Sequence, residues 1–288
     1  MTRQNHPGVV RQRRNVTAKG ANVLRLVPRM GREHGRTLRP VLAPGVTMRP
    51  ERAAALLAGT PLFGGLDDTQ LRQVADAASL RSYRKGQFVF HQGDAGDGLF
   101  VLTEGVVSVI VSSPEGQEMI LATLRPPDVF GELAVIDGGS RSASVRAMVS
   151  TTALIVRRDT VLALLTNHAT VADSLLRSLG TVVRRVTGQA ADLVFLDLPA
   201  RVAKVIVELA GASGVPCDGG IALDFAVTQA TIAAMVGGSR QSVNGVIQTL
   251  EGEGCVVRRD RTIVVPDMTA LSQRAAGVAH GEGRQSVV

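Results

Sequence analysis

The sequence predicts an α+β chain made of an antiparallel β-roll of jelly-roll type, a long helix and a C-terminal winged helix-turn-helix. Three observations carry this. Between Phe88 and Arg157 short apolar runs alternate with turn residues, the cadence of an antiparallel barrel or roll. From Val171 to Leu193 apolar residues return every three or four positions, the period of one helical face. Beyond Pro199 three helical stretches precede a hairpin, and the second and third are parted by Gly237-Gly238 alone, as in a helix-turn-helix.

Composition sets the frame. With 288 residues there is room for about two domains. Apolar residues make up 45% with no Trp and Tyr83 as the single tyrosine, so the expected cores are aliphatic. The net charge of +7 is uneven: residues 1–50 hold 11 Lys/Arg against one acid, Glu33, a net of +10 that leaves the rest of the chain at −3. The tail is therefore read as solvated or as lying upstream of a start at Met30 or Met48, with a nonspecific arm on DNA phosphate as the alternative. No apolar run reaches transmembrane length and the N-terminus lacks a secretory core, which predicts a cytoplasmic protein without membrane contact. Cys217 and Cys255 have no CxxC spacing, so buried thiols are expected rather than a disulfide framework.

Along the chain, Pro50 to Gly59 and Asp67 to Leu80 have helical spacing. Strands are expected at Phe88–His91, Gly98–Leu102, Val106–Ser112, Glu118–Leu124, Ala143–Val149 and Thr152–Arg157. Val171, Leu175, Leu179, Val182, Val186, Ala190 and Leu193 recur at steps of 4, 4, 3, 4, 4 and 3. A narrow stripe on a long helix reads as a coiled-coil seam between two copies, with packing onto the chain's own roll accounting for part of it. Gly180 and Gly188 weaken this helix by about 1 kcal/mol each against Ala. Next come a helix over Pro199–Ala212, the pair Thr228–Val236 and Ser239–Glu253, and two strands over Cys255–Val265 interrupted by Arg258 to Arg261. The expected domains are a basic tail (1–49), the roll (50–168), a dimerisation helix (169–196), the winged helix-turn-helix (197–271) and a flexible tail (272–288).

The stretch FGELAVIDGGSRSASVRA, Phe130 to Ala147, carries chemistry that a roll core does not need. Gly131 permits close approach of backbone to a ligand. Arg141 offers a guanidinium fork for phosphate oxygens, and Ser142 a hydroxyl and an N–H. Glu132 would repel a phosphate and makes sense facing a sugar hydroxyl. An acid for ribose and an arginine for phosphate point to a nucleotide; an internal Glu132–Arg141 ion pair is the structural alternative, and a poor stabiliser when buried.

This stretch resembles the phosphate-binding cassette of cyclic-nucleotide-binding domains, and YRKGQFVFHQGDAGDGLFVLTEGVVSV resembles the strands before it. With FLDLPARVAKVIVELA at Phe195 to Ala210, the chain resembles the cyclic AMP receptor protein and fumarate-nitrate regulator superfamily of bacterial transcription regulators over about Pro50 to Leu271. The resemblance implies backbone contacts from Gly131, Leu133 and Ala143, ribose contact from Glu132, and phosphate contact from Arg141 and Ser142. It sets Val186 and Thr187 where the family commonly carries Thr then Ser or Asn to meet adenine; Val186 cannot accept from the base's amine.

In the last helix, Ser239 is a good N-cap, Val243, Val246, Ile247 and Leu250 form an apolar face, and Arg240, Gln241 and Asn244 fall on the polar side. A recognition helix presents this end to the major groove. The block resembles the family's Ser-Arg-Glu-Thr-Val-x-Arg/Lys pattern, with Gln241 and Gly245 as departures; Arg240 is the expected guanine reader. The DNA-facing set is Thr228, Ser239, Arg240, Gln241, Ser242, Asn244, Arg258 and Arg261.

The expected function is a homodimeric transcription regulator whose affinity for a palindromic DNA operator is controlled by a cyclic nucleotide. Cyclic AMP is the expected effector, cyclic GMP the alternative, and RNA polymerase an expected partner. A regulator of the same fold that binds DNA constitutively is the competing reading. Enzymatic activity is not expected: the scattered His6, His34, His91, His168 and His280 form no triad or metal spacing, and no metal, haem or iron–sulfur cluster is implied.

Overall fold

The computed structural model describes residues 48–223, 227–259 and 262–277. Tail residues 1–47, Arg261 and residues 278–288 lie outside the described residues. Helix α1 (Pro50–Ala58) leads to α2 (Asp68–Ala77). The Asp67 carboxylate accepts from the Gln70 N–H at 2.9 Å and the Gln70 side chain accepts from the Asp67 N–H at 2.9 Å, a capping box that satisfies two otherwise orphan donors. The helix expected to reach Leu80 ends at Ala77, because Ala78 is extended and Leu80 belongs to β1 (Ser79–Tyr83), opposite Leu154 of β8 (Thr151–Arg157). Leu80 satisfies either period, and the ladder to β8 prevails.

Between them run β2 (Phe88–Phe90), β3 (Gly98–Glu104), β4 (Val107–Ser112), β5 (Glu118–Leu124), β6 (Val129–Phe130), α3 (Glu132–Asp137) and β7 (Ser144–Ala147). They form two four-stranded antiparallel sheets, β1-β8-β3-β6 and β2-β7-β4-β5, and complete the expected roll. On β3, Phe100 and Leu102 join the core shared by the two sheets, while Leu99 and Val101 join a second core under α1, α2, α4 (Arg158–Asn167) and α5 (Ala169–Phe195). Both faces of β3 are thus buried, which is why it reads as a continuous apolar run. The expectation of purely aliphatic cores fails here, since Tyr83, Phe100 and Phe130 sit between the sheets.

Helix α5 is continuous for 27 residues with Gly180 and Gly188 inside it. Its apolar residues divide over two faces. Val171 and Leu175 are buried against the roll, whereas Leu176, Val183, Val186 and Leu193 are 67%, 63%, 46% and 45% exposed. With half-buried Leu179 and exposed Ala190 these follow steps of 3, 4, 3, 4 and 3, a heptad seam. The seam therefore includes Leu176 and Val183, which the expected stripe omits, and excludes Val171 and Leu175, whose partners lie in their own domain.

The C-terminal module comprises α6 (Leu198–Ser213), β9 (Gly214–Cys217), β10 (Gly220–Leu223), α7 (Gln229–Val236), α8 (Arg240–Gly252), β11 (Val257–Arg259), β12 (Thr262–Val265) and α9 (Met268–Ala275). Its sheet order is β11-β12-β10-β9; the β9–β10 hairpin was not expected from the sequence. Arg258 and Arg259 pair with Ile263 and Thr262 inside a strand instead of interrupting it. Gly237 closes α7 at φ 64°, a left-handed conformation that suits glycine. The core, including Val202, Ile206, Ile232, Val243, Ile247 and Leu250, contains no aromatic residue. Cys255 is buried as expected, but Cys217 is exposed on the hairpin. Among the described residues no helix is long and apolar enough to cross a membrane.

Candidate functional site

The cassette folds around Arg141. Its guanidinium, 3% exposed as a residue, donates from Nη1 to Gly131 O and from Nη2 to Gly98 O, both at 2.8 Å. It lies 4.3 Å from the Phe90 ring centroid and 5.4 Å from that of Phe100, so the few aromatics gather where a cation can use their faces. Its Nε is buried without a partner. The carboxylate contact is Asp97 Oδ1 at 3.8 Å, on a side chain that is 94% exposed. Backbone bonds fix the arginine's place: Arg141 N–H donates to Asp94 O at 2.8 Å and Gly93 N–H to Arg141 O at 2.9 Å.

Gly131 enters α3 at φ 81°, and a Cβ there would stand 2.6 Å from Arg141 Nη1. Its left-handed backbone and the absence of a side chain are both required. Gly131→Ala should lower stability by about 1–2 kcal/mol through the backbone alone, with further loss from displaced guanidinium. Thermal denaturation tests this, and a melting temperature equal to the parent's would refute it.

Glu132 is half-buried beside this centre. Burial pushes its carboxyl above the usual carboxylate range, while its own N–H, Arg141 and Arg185 pull it back. For Arg141, burial disfavours the charged form, and Asp97, Asp94 and Glu132 oppose that effect. Leu133 and Ser142 are exposed and Ala143 is buried. These six expected residues share one cassette. Val186 and Thr187 are exposed on α5; at about 100° per residue, Thr187 points away from the face that carries Arg185. Two further residues hold or adjoin the cassette: Arg158 donates from Nε to Val135 O of α3 at 2.8 Å, and Arg185 acts on Glu132 from α5. No local pattern marked either, because both contacts span distant segments.

In the C-terminal module Thr228 and Ser239 are N-caps, accepting from Thr231 and Ser242 N–H groups at 3.1 and 3.0 Å. Arg240, Gln241, Ser242, Gly245, Gln248 and Thr249 are exposed along α8, opposite the expected apolar face of Val243, Val246, Ile247 and Leu250. Gln248, seven residues after Gln241, could have been found by its helical position alone. Asn244 is partly buried and its Oδ1 accepts from Gln229 at 2.8 Å. Arg258 is engaged by Glu251, Nη2 to Oε2 at 2.6 Å, and so lies paired within the module. Arg259 donates to Asp218 O at 2.6 Å.

A polar cassette in a β-roll, joined by a long helix to a winged helix-turn-helix, defines a DNA-binding transcription regulator with a ligand-sensing domain. Residues 80–168 match the family model of the cyclic nucleotide-binding domain and residues 200–274 that of the Crp-like helix-turn-helix domain. The chain is 30% identical over 220 residues to the CRP-like cAMP-activated global transcriptional regulator of Mycobacterium tuberculosis, covering 76% of this chain and 98% of the relative. It is 32% identical over 221 residues to the cyclic AMP receptor protein of Thermus thermophilus, covering 77% and 99%. Among solved structures, a CRP-family transcriptional regulator of Thermus thermophilus aligns with TM-score 0.59 at 25% identity, over 68% of this chain and 96% of the other. The c-di-GMP-responsive global regulator of Xanthomonas campestris aligns with TM-score 0.63 at 20% identity, over 70% and 100%; this likeness bears on the fold alone. The chain belongs to the cyclic AMP receptor protein and fumarate-nitrate regulator superfamily.

Proposed function

We propose that the protein is a cytoplasmic, homodimeric, non-enzymatic transcription regulator whose affinity for a palindromic operator is set by cyclic AMP bound at the Glu132–Arg141 cassette. One observation carries the reading: Arg141 is a buried cation whose hydrogen bonds end on neutral carbonyls, with one N–H unfilled. A buried charge whose ion-pair partner is a solvent-exposed carboxylate 3.8 Å away, Asp97, is only partly compensated, and a cyclic phosphate would supply a closer counter-ion. Glu132, not bonded to Arg141, is left to accept from the ribose. The exposed heptad seam of α5 supports pairing of two copies, since contiguous apolar surface on a helix marks an interaction site. The exposed polar row of α8, led by Arg240 and Gln241, is the proposed base reader, with Ser239, Ser242 and Thr228 meeting phosphate. RNA polymerase is the proposed partner of the DNA-bound form.

The test combines calorimetric titration of cyclic AMP and cyclic GMP with a DNA shift assay on a palindromic site. Cyclic AMP should bind and tighten DNA association, and affinity for DNA should fall linearly in a log–log plot against salt. Tight DNA binding indifferent to both nucleotides would overturn the reading and select the constitutive regulator, for which the missing acceptor at Val186 is the motive.

A further inference from the structure

Helix α8 turns Val243, Val246, Ile247 and Leu250 into the module's core. At about 100° per residue, the positions that point most directly away from that face are Gln241, Gly245, Gln248 and Gly252, and all four are exposed. The outermost line of the helix therefore alternates a long amide with no side chain. Gly252 ends the helix, where glycine is common, but Gly245 lies in its middle, where glycine weakens a helix. A Cβ at Gly245 would meet nothing within 4 Å. Packing inside the module thus gives no reason for a glycine there, whereas close approach of another molecule does.

The other polar side chains of this surface are largely engaged. Asn244 Oδ1 accepts from Gln229 at 2.8 Å, Thr249 donates its hydroxyl to Gly245 O at 3.2 Å, and the hydroxyls of Ser239 and Ser242 are 2.8 Å apart. Among the described residues the amides of Gln241 and Gln248 have no such partner. Seven residues separate the two, an advance of about 10.5 Å along the helix with a turn of only about 20°. That advance is close to three base-pair steps of roughly 3.4 Å each. A glutamine amide pairs with adenine through two hydrogen bonds in the major groove, donating to N7 and accepting from N6.

We infer that Gln248 is a second base-reading residue, which selects an adenine three base pairs from the base met by Gln241, and that Gly245 brings α8 close enough to the base edges for both amides to reach them. The inference rests on the reading of α8 as the helix that enters the major groove. A contact of Gln248 with phosphate would strengthen binding to every sequence alike and carry no base preference.

The test selects operators from a random palindromic DNA library with the parent, Gln241→Ala, Gln248→Ala and Gly245→Leu, each with and without cyclic AMP. The parent should enrich half-sites with two A·T pairs three steps apart. Gln248→Ala should relax one of these positions and keep the other, and Gln241→Ala should do the converse. With 7-deaza-adenine, which lacks the N7 acceptor, at the Gln248 position, the parent should bind about fivefold or more weakly and Gln248→Ala should be indifferent. Gly245→Leu should melt no lower than the parent, since leucine is the better helix former, yet bind the selected operator at least about tenfold more weakly as both amides are lifted from the bases. A second A·T preference that is missing, or that survives Gln248→Ala, overturns the role of Gln248. Parent-like DNA affinity in Gly245→Leu overturns the close approach. A parent that enriches no sequence under either condition overturns the reading of α8 as the base reader, and this inference with it.

Discussion

Arg141→Leu is expected to weaken cyclic AMP binding by at least ~100-fold, since charge-assisted bonds to a phosphate contribute about 1.5–3 kcal/mol each. The substitution also strips donors from Gly131 O and Gly98 O, so the ligand-free protein should melt at lower temperature. The two effects separate in the ligand-induced shift: for the parent, nucleotide at 100 times its dissociation constant adds about 2.7 kcal/mol of stability. For Arg141→Leu at the same concentration the shift should fall to about 0.4 kcal/mol or less. Arg141→Lys gives the second arm, keeping charge and one donor while losing the fork. If either variant retains the parent's shift, Arg141 does not hold the phosphate.

Val183→Asp should convert the proposed dimer to a monomer. Val183 is 63% exposed at the middle of the seam that Leu176, Leu179, Val186, Ala190 and Leu193 continue. Burying an unpaired carboxylate in such a seam costs several kcal/mol, more than ~100-fold in the dimerisation constant. In a single chain the same position faces solvent, so the monomer's fold should be untouched, which circular dichroism can verify. Sedimentation should show the monomer, and affinity for a full palindrome should fall by about 10²–10⁴ toward that for a half-site, as the linkage between two reading heads is lost. An unchanged dimer would place the interface on another surface.

Much of this molecule is legible in its residues because the decisive groups are close in sequence. The cassette is one continuous stretch, so Gly131, Glu132 and Arg141 can be read together, and the structure adds that the arginine's bonds end on carbonyls. The apolar face of α8 follows from Val243, Val246, Ile247 and Leu250 at helical spacing. What escapes is set by distant pairing. Leu80 suits a helix until β8 is present to pair with it. Arg258 looks free for DNA until Glu251 is brought within 2.6 Å. Gln189 is unremarkable on its helix, and only the carbonyl of Leu121, 68 residues earlier, orients its amide and leaves its Oε1 buried without a partner. Asn244 likewise meets Gln229 through the helix-turn-helix corner.

Among the described residues the sensor's two cores and the reader's core have no residue in common. The seam between the two modules includes polar bonds, Gln189 to Leu121 and Lys204 to Asp192. Such bonds exchange with water at small net cost, so opening this junction leaves each hydrophobic core intact. Single polar substitutions at the junction can therefore shift how readily it opens without rebuilding either module.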